Sequence, residues 1–227
     1  MSNVLNEMQQ LRLMLTKETN FDLTKAEKLY NFIVGNQQKV SDKQIANIDK
    51  PDGIYFILSP SNAIHESLAT DEDRHNCIAV GVKMGDKFAN VALHDAAGGE
   101  DIGLYTEDEI PYESEQFFND TFWKAISDWN GEANTNDIRS SLNPDINLGE
   151  NEYIPSVAQL HLILLNINEI NKALVEAGGD TIQEYWYWSS TELSNISSWI
   201  VFFNSGTTAY NLKHERNIVR PSIVCNI

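Results

Sequence analysis

Ser198-Trp199-Ile200-Val201-Phe202-Phe203-Asn204-Ser205-Gly206-Thr207-Thr208-Ala209-Tyr210 is the stretch from which the rest of this chain is read. Trp199, Val201 and Phe203 alternate with Ile200, Phe202 and Asn204, the two-residue period of a strand. Asn204-Ser205-Gly206 supplies turn chemistry, and β-prone residues resume at Thr207, so 199–210 reads as a hairpin. Ile200 and Phe202 are apolar on the face that a half-exposed hairpin would leave polar. More of the same chain, a second subunit or a ligand is therefore expected to cover that face.

Working outward, the 227 residues accommodate one large domain or one domain with an appendage. Net charge is −17, from 16 basic and 33 acidic residues. A surface so acidic repels nucleic acid and anionic membranes, so neither nucleic-acid binding nor membrane insertion is expected. Asp71-Glu72-Asp73 and Glu107-Asp108-Glu109 read as solvated acidic clusters. The two cysteines, Cys77 and Cys225, lie in apolar, β-like runs and read most simply as buried thiols; spacing leaves a disulfide open. His65, His75, His94, His161 and His214 are scattered, so no metal site and no cofactor are expected. The first residues lack a secretory pattern, and no apolar run approaches the ~20 residues of a membrane span. Synthesis and folding in a cytoplasm are expected.

The chain divides in character near residue 50. Within 1–50, Val4, Met8, Leu11 and Leu15 follow a short heptad-like spacing. Thr24-Lys25-Ala26-Glu27 and Ser41-Asp42-Lys43-Gln44 are capping boxes that open two further short helices. This segment is expected to be helical, packed on the main body or used for anchoring and oligomerisation, with Val4, Met8, Leu11 and Leu15 as the seam. From 51 to 227 the pattern is α+β. Strands are expected at 54–58, 77–82 and 88–93, with polar loop over 61–76. A helix is expected from Glu113 to Trp129, with Phe118, Phe122, Ala125, Ile126 and Trp129 inward, broken by Asn130-Gly131-Glu132-Ala133-Asn134-Thr135. A short helix over 137–141 and loop over 143–152 follow. Ser156-Val157-Ala158-Gln159 caps a helix that buries Val157, Leu160, Ile163 and Leu164. A second helix carries Ile170, Ala173 and Leu174 and closes at Gly178-Gly179. This helix pair feeds straight into the Trp-rich β segment.

Several of these words fall in a familiar order. They are Tyr153-Ile154-Pro155-Ser156, Gly178-Gly179, Tyr187-Trp188-Ser189-Ser190-Thr191-Glu192, Ser198-Trp199, Val201, Phe203, Gly206, Lys213 and Val219-Arg220-Pro221. Together they resemble the C-type-lectin-fold domain at the end of the Legionella collagen-like adhesin and similar domains in Bacteroidales and their phages. Asp52-Gly53-Ile54-Tyr55 and the run 78–82 extend the resemblance over roughly 52–227. It implies a C-type-lectin-like domain, short antiparallel strands with a helix pair, acting as a display scaffold. Relatives include variable proteins of diversity-generating retroelements. By position, the core letters are Trp188, Trp199, Val201, Phe203, Gly206, Lys213, Val219 and Arg220. The resemblance assigns ligand or partner binding to Ser194, Asn195, Ser197, Ile200, Phe202, Asn204, Ser205, Thr207, Ala209, Asn211, Glu215, Arg216 and Asn217.

The departures are specific. The calcium-lectin motifs Glu-Pro-Asn, Gln-Pro-Asp and Trp-Asn-Asp are missing, and Asn143-Pro144-Asp145 stands in a loop before the helix pair, where it approximates none of them in place. The reactive cysteine pair of formylglycine-generating enzymes has no counterpart, although Arg74 and His75 precede Cys77 and would lower its pKa. Asp95, His94, Glu192 and His214 lack motif-grade spacing, so no catalytic residues are assigned. Arg220, in an apolar strand, requires a carboxylate partner, and Glu192 is the candidate. The expected function is a non-enzymatic phage virion protein, a head-fibre or tail-associated subunit that self-associates, contacts other virion proteins and displays a surface for a host glycan or protein. A bacterial or prophage-encoded ligand-binding protein is the alternative, and an enzyme of the formylglycine-generating type stands third.

Overall fold

The structure, a computed structural model, describes residues 50–106, 119–225 and 227. Contacts divide the chain between Met1–Asp49 and Lys50–Ile227, and everything described lies in the second unit. The heptad-like positions Val4, Met8, Leu11 and Leu15, both N-terminal capping boxes, Glu107-Asp108-Glu109 and Phe118 lie outside the described residues.

Antiparallel pairing and few, short helices make the described unit α+β. The first sheet has four strands in the order β2-β1-β3-β4: β1 (Gly53–Ser59), β2 (Asn62–His65), β3 (Ala79–Met84) and β4 (Lys87–Ala92). Ile54 and Phe56 on β1, Val80 and Val82 on β3, and Ala89 and Val91 on β4 share one buried face, as the two-residue period requires. Gly85, at φ 60°, makes the tight β3–β4 turn that a side chain would strain. The polar stretch 61–76 is not all loop. It holds β2 and then α1 (Asp71–Asn76), which Thr70 and Asp73 cap reciprocally.

The helix expected from Glu113 to Trp129 is, within the described residues, only the single turn α2 (Phe122–Ala125). Ala125 is fully buried there, but Phe122 and Trp123 are exposed. The expected break at 130–135 is instead helical: α3 spans Gly131–Ile138, and a 3₁₀ turn follows at Arg139–Ser141. Gly131 serves packing rather than turning. A Cβ there would lie 2.2 Å from Gln159 Oε1 and 2.8 Å from the Ser156 nitrogen.

The Ser156 box forms as expected. It opens α4 (Val157–Leu165), which is followed through Asn166 by α5 (Ile167–Glu176). Gly178 takes φ 77°, and the Gly179 N–H bonds back to Leu174, satisfying the helix end. Helix α4 lies between the four-stranded sheet and a three-stranded sheet of order β6-β7-β8. These strands are β6 (Trp186–Ser194), β7 (Ser197–Phe202) and β8 (Thr207–Leu212). The main core fills this space, joining the inward residues of both sheets to Val157, Leu160, Ile163, Ile170 and Leu174. Glu152–Tyr153 (β5) pairs with Ser222–Ile223 (β9), bringing the end of the unit beside its middle.

The face of β7 expected to meet a partner is covered by the chain itself. Residues 102–105 and 217–219 fold over it, tied by the Ile102–Asn217 bridge. They form a second core in which Ile102, Leu104, Ile146, Ile154, Trp188 and Val219 enclose Ile200, which is 5% exposed. β6 and β7 are thus packed on both faces, whereas β8 lies at the more exposed edge.

Candidate functional site

The candidate site is what this sheet leaves outside at its β7–β8 end. The β7–β8 turn runs from Phe203 to Gly206, with Phe202 opposite Thr207. Gly206 takes φ 73°, a left-handed conformation that favours glycine, and a Cβ there would lie 3.1 Å from the tip of Leu164. Asn204, Ser205 and Thr207 are exposed. Asn204 Nδ2 donates to Glu184 at 2.6 Å, and the Ser205 and Thr207 hydroxyls meet at 2.7 Å, so the tip is ordered by its own side chains.

Beside the tip, Phe202 stacks on Trp186, their ring centres 4.9 Å apart, and both rings are half-buried. Tyr185 donates to Asp101 at 3.0 Å, and that carboxylate holds the phenol above its ordinary pKa. Arg216 Nε donates to the Asp101 carbonyl at 3.1 Å. Arg216 and His214 line an open cleft of about 460 Å³ together with Glu100, Asp101, Asn143 and Asp145. Its polar, mixed-charge wall suits a hydroxyl-rich or zwitterionic ligand more than an apolar one.

The thirteen positions assigned by resemblance separate into three groups. Asn204, Ser205, Thr207, Glu215 and Arg216 are exposed; Ser194, Asn195, Phe202, Ala209 and Asn211 are half-buried. Ser197, Ile200 and Asn217 are buried, which corrects their assignment to ligand or partner contact. Ser194 and Asn195 lie at the β6–β7 turn, the opposite end of the ladder from the 204–207 tip. Trp186, which stacks on the assigned Phe202, and the acidic wall Glu100, Asp101 and Asp145 were not in the assigned set; only chain folding brings 100–101 and 145 beside 216.

Of the residues weighed for chemistry, His214 lines the cleft and the others are engaged elsewhere. Glu192 bonds Lys213, which also donates to Tyr105 at 3.1 Å and to the Asn195 carbonyl at 3.0 Å. Burial pushes the Glu192 carboxyl up and the Lys213 ammonium down, each opposed by the other's charge. Arg220 does not meet Glu192; its partner is Asp95, at 3.1 Å. His94 pairs with Asp180 at 2.7 Å at the surface. The Cys77 thiol is pushed up to about 11 by burial, not lowered by Arg74 or His75, and both cysteines are free. Arg74 instead pairs with Glu176 over the Phe56 ring. Among the described residues, no three His, Cys, Asp or Glu side chains are placed to hold a metal. No described helix is long and apolar enough to cross a membrane.

Sequence reasoning missed Asp128, which ties the site's support together. Asp128 is 5% exposed. It accepts from Thr191 at 2.8 Å, Asn134 at 2.7 Å and the Asn130 backbone at 2.9 Å, while its own carbonyl accepts from Ser156 at 2.6 Å. The Asp128 carboxylate thus joins α3 to β6, and its main-chain carbonyl adds the start of α4.

No family model, curated protein or solved structure matches this chain.

Proposed function

We propose that this chain is a non-enzymatic structural subunit of a phage virion, a head-fibre or tail-associated protein whose C-type-lectin-like domain displays a binding surface for host attachment. The observation that carries the reading is a sheet whose strands β6 and β7 are packed on both faces and whose β7–β8 turn is an exposed, self-ordered tip at Asn204, Ser205 and Thr207. A rigid platform with short polar residues at its edge has the composition of adaptable recognition surfaces, in which Ser and Asn supply hydrogen bonds beside aromatic anchors. Trp186, Phe202 and Tyr185 would be the anchors. Arg216 and the acidic wall would supply the polar contacts of the cleft. The ordered words from Tyr153 to Pro221 support the lectin-like assignment.

The test is mass spectrometry of gradient-purified particles of the phage that encodes the chain, followed by adsorption to host cells. The chain is expected in particles at a fixed ratio to the capsid protein, and Arg216→Glu is expected to slow adsorption without removing it from them. Absence from particles, with recovery on a bacterial surface, would overturn the virion reading and favour the alternative, a bacterial or prophage-encoded adhesin.

A further inference from the structure

Among the described residues, the edges of the two larger sheets are closed or short, with one exception. On β6, Trp188 N–H donates to Ile218, Ile218 N–H to Trp186, and Ser190 N–H to Pro155, so that edge is covered. On β4, Ala92 N–H donates to Pro221 and Asn90 brackets Ile223 with two bonds. β2 is only four residues long and joins β1 through a register shift. β8 is six residues long, with the sequence Thr-Thr-Ala-Tyr-Asn-Leu. It carries no charge, proline or glycine, the devices that normally protect an edge from pairing.

Ladder alternation fixes which backbone groups of β8 point away from β7. Lys213 N–H donates to Ile196, so odd-numbered residues of β8 face β7 and even-numbered ones face away. Of the latter, Leu212 is occupied: its N–H meets Asn211 Oδ1 and its carbonyl accepts from Glu215. Thr208 and Tyr210 have no backbone partner among the described residues. Tyr210 is 61% exposed and Leu212 39%.

The chain's charge selects the occupant. Two copies at −17 repel each other over an ordinary stretch of this surface. From 193 to 212 no residue is charged, the longest such run in the chain, and it includes all of β7 and β8. We infer that β8 pairs with β8 of a second copy across a two-fold axis, joining two three-stranded sheets into one six-stranded sheet. Thr208 stands opposite the partner's Tyr210, so the four outward backbone groups of Thr208 and Tyr210 on each copy are all used. Ala209 lies on the axis opposite itself, a small residue where the strands approach most closely. The inference goes beyond the proposed function. It holds for a virion subunit or an adhesin alike, and it leaves the 204–205 tip and the Arg216 cleft outside the pairing.

The test uses the full chain. Sedimentation velocity is expected to give an assembly whose mass halves in Tyr210→Pro, which removes an outward N–H and no bond to β7. Thr208→Lys, which puts a charge at the edge, is expected to do the same, with near-ultraviolet circular dichroism unchanged in at least one of the two. In a Cys77→Ser, Cys225→Ser background, Ala209→Cys is expected to form a disulfide dimer on mild oxidation, since facing non-bonded positions lie about 4.5 Å apart. A wild-type monomer at roughly 100 µM, well above the micromolar dissociation constants of ordinary weak dimers, overturns the proposal. So does an assembly whose mass both edge variants leave intact, or a dimer that Ala209→Cys fails to cross-link.

Discussion

Arg220 Nη1 donates to Asp95 Oδ1 at 3.1 Å, and both side chains are almost fully buried, at 1% and 4% exposure. The other guanidinium nitrogens donate to the carbonyls of Ala92 at 2.8 Å, Leu93 at 2.9 Å and Asp180 at 2.6 Å. Arg220 therefore pins the end of β4 and the loop after α5 to the last part of the chain. Burial raises the Asp95 pKa, with the Arg220 charge opposing it. Removing the cation would leave Asp95 buried and unpaired. Arg220→Ala is expected to cost about 3–5 kcal/mol in urea-unfolding free energy. Arg220→Lys is expected to recover only part, because an ammonium cannot reproduce the forked geometry. An Arg220→Ala variant with an unchanged midpoint would remove this structural role.

Glu192 and Lys213 form the second buried pair, and here burial works against both charges. Each single substitution, Glu192→Leu or Lys213→Met, is expected to destabilise by about 3–5 kcal/mol, because one uncompensated charge stays inside. The double substitution is expected to lie close to wild type or above it. A double-mutant cycle on unfolding free energies measures the coupling. Additive losses in the double variant would mean that the pair is not coupled as the geometry requires.

These two pairs also mark where local sequence stops being informative. The 199–210 hairpin, the Ser156 capping box and the Gly178-Gly179 stop are local patterns, and each forms where the residues indicate. The partner of Arg220 lies 125 residues away, and no local signal distinguishes Asp95 from Glu192. The cover over Ile200 has the same origin, since strand periodicity shows two apolar faces but not what folds over the second. Helix α1 escaped notice because it buries no residue and so has no apolar period, only the Thr70–Asp73 cap. Helix α3 was hidden by Gly131, read as a breaker although close packing against Gln159 explains it. Of the candidate site, the polar tip residues were legible by position; the cleft wall, assembled from distant loops, was not.

Cys77 decides whether a reactive-thiol chemistry is open to this fold. It is 4% exposed, its Sγ lies 3.2 Å from the Arg74 carbonyl, and burial pushes its pKa up to about 11. At about pH 8 the thiolate, which is the nucleophile, is then a very small fraction. In a Cys225→Ser variant, native protein is expected to react with a disulfide reagent only as fast as it unfolds. Denaturant should release one thiol equivalent. Rapid labelling of the native protein would mean an accessible, activated Cys77 and would return the formylglycine-generating type of enzyme to consideration.

His161 offers a pH-dependent readout of the joint between α4 and β8. Its Nε2 meets the Thr208 hydroxyl at 2.7 Å, and burial lowers its pKa from 6.5. The native state therefore resists protonation that the unfolded chain accepts. The sign follows: this contribution to stability is full above about pH 6.5 and declines as pH falls from there through the lowered native value. The slope from one histidine is at most about 1.4 kcal/mol per pH unit. His161→Gln keeps a polar group near Thr208 and removes the titration. Urea unfolding at about pH 7.5 and about pH 5.5 is expected to show a larger acid loss in wild type than in His161→Gln, by a fraction of that slope. Equal losses in the two proteins would show that His161 titrates alike in the folded and unfolded chain, and that the α4–β8 contact does not exclude its charged form.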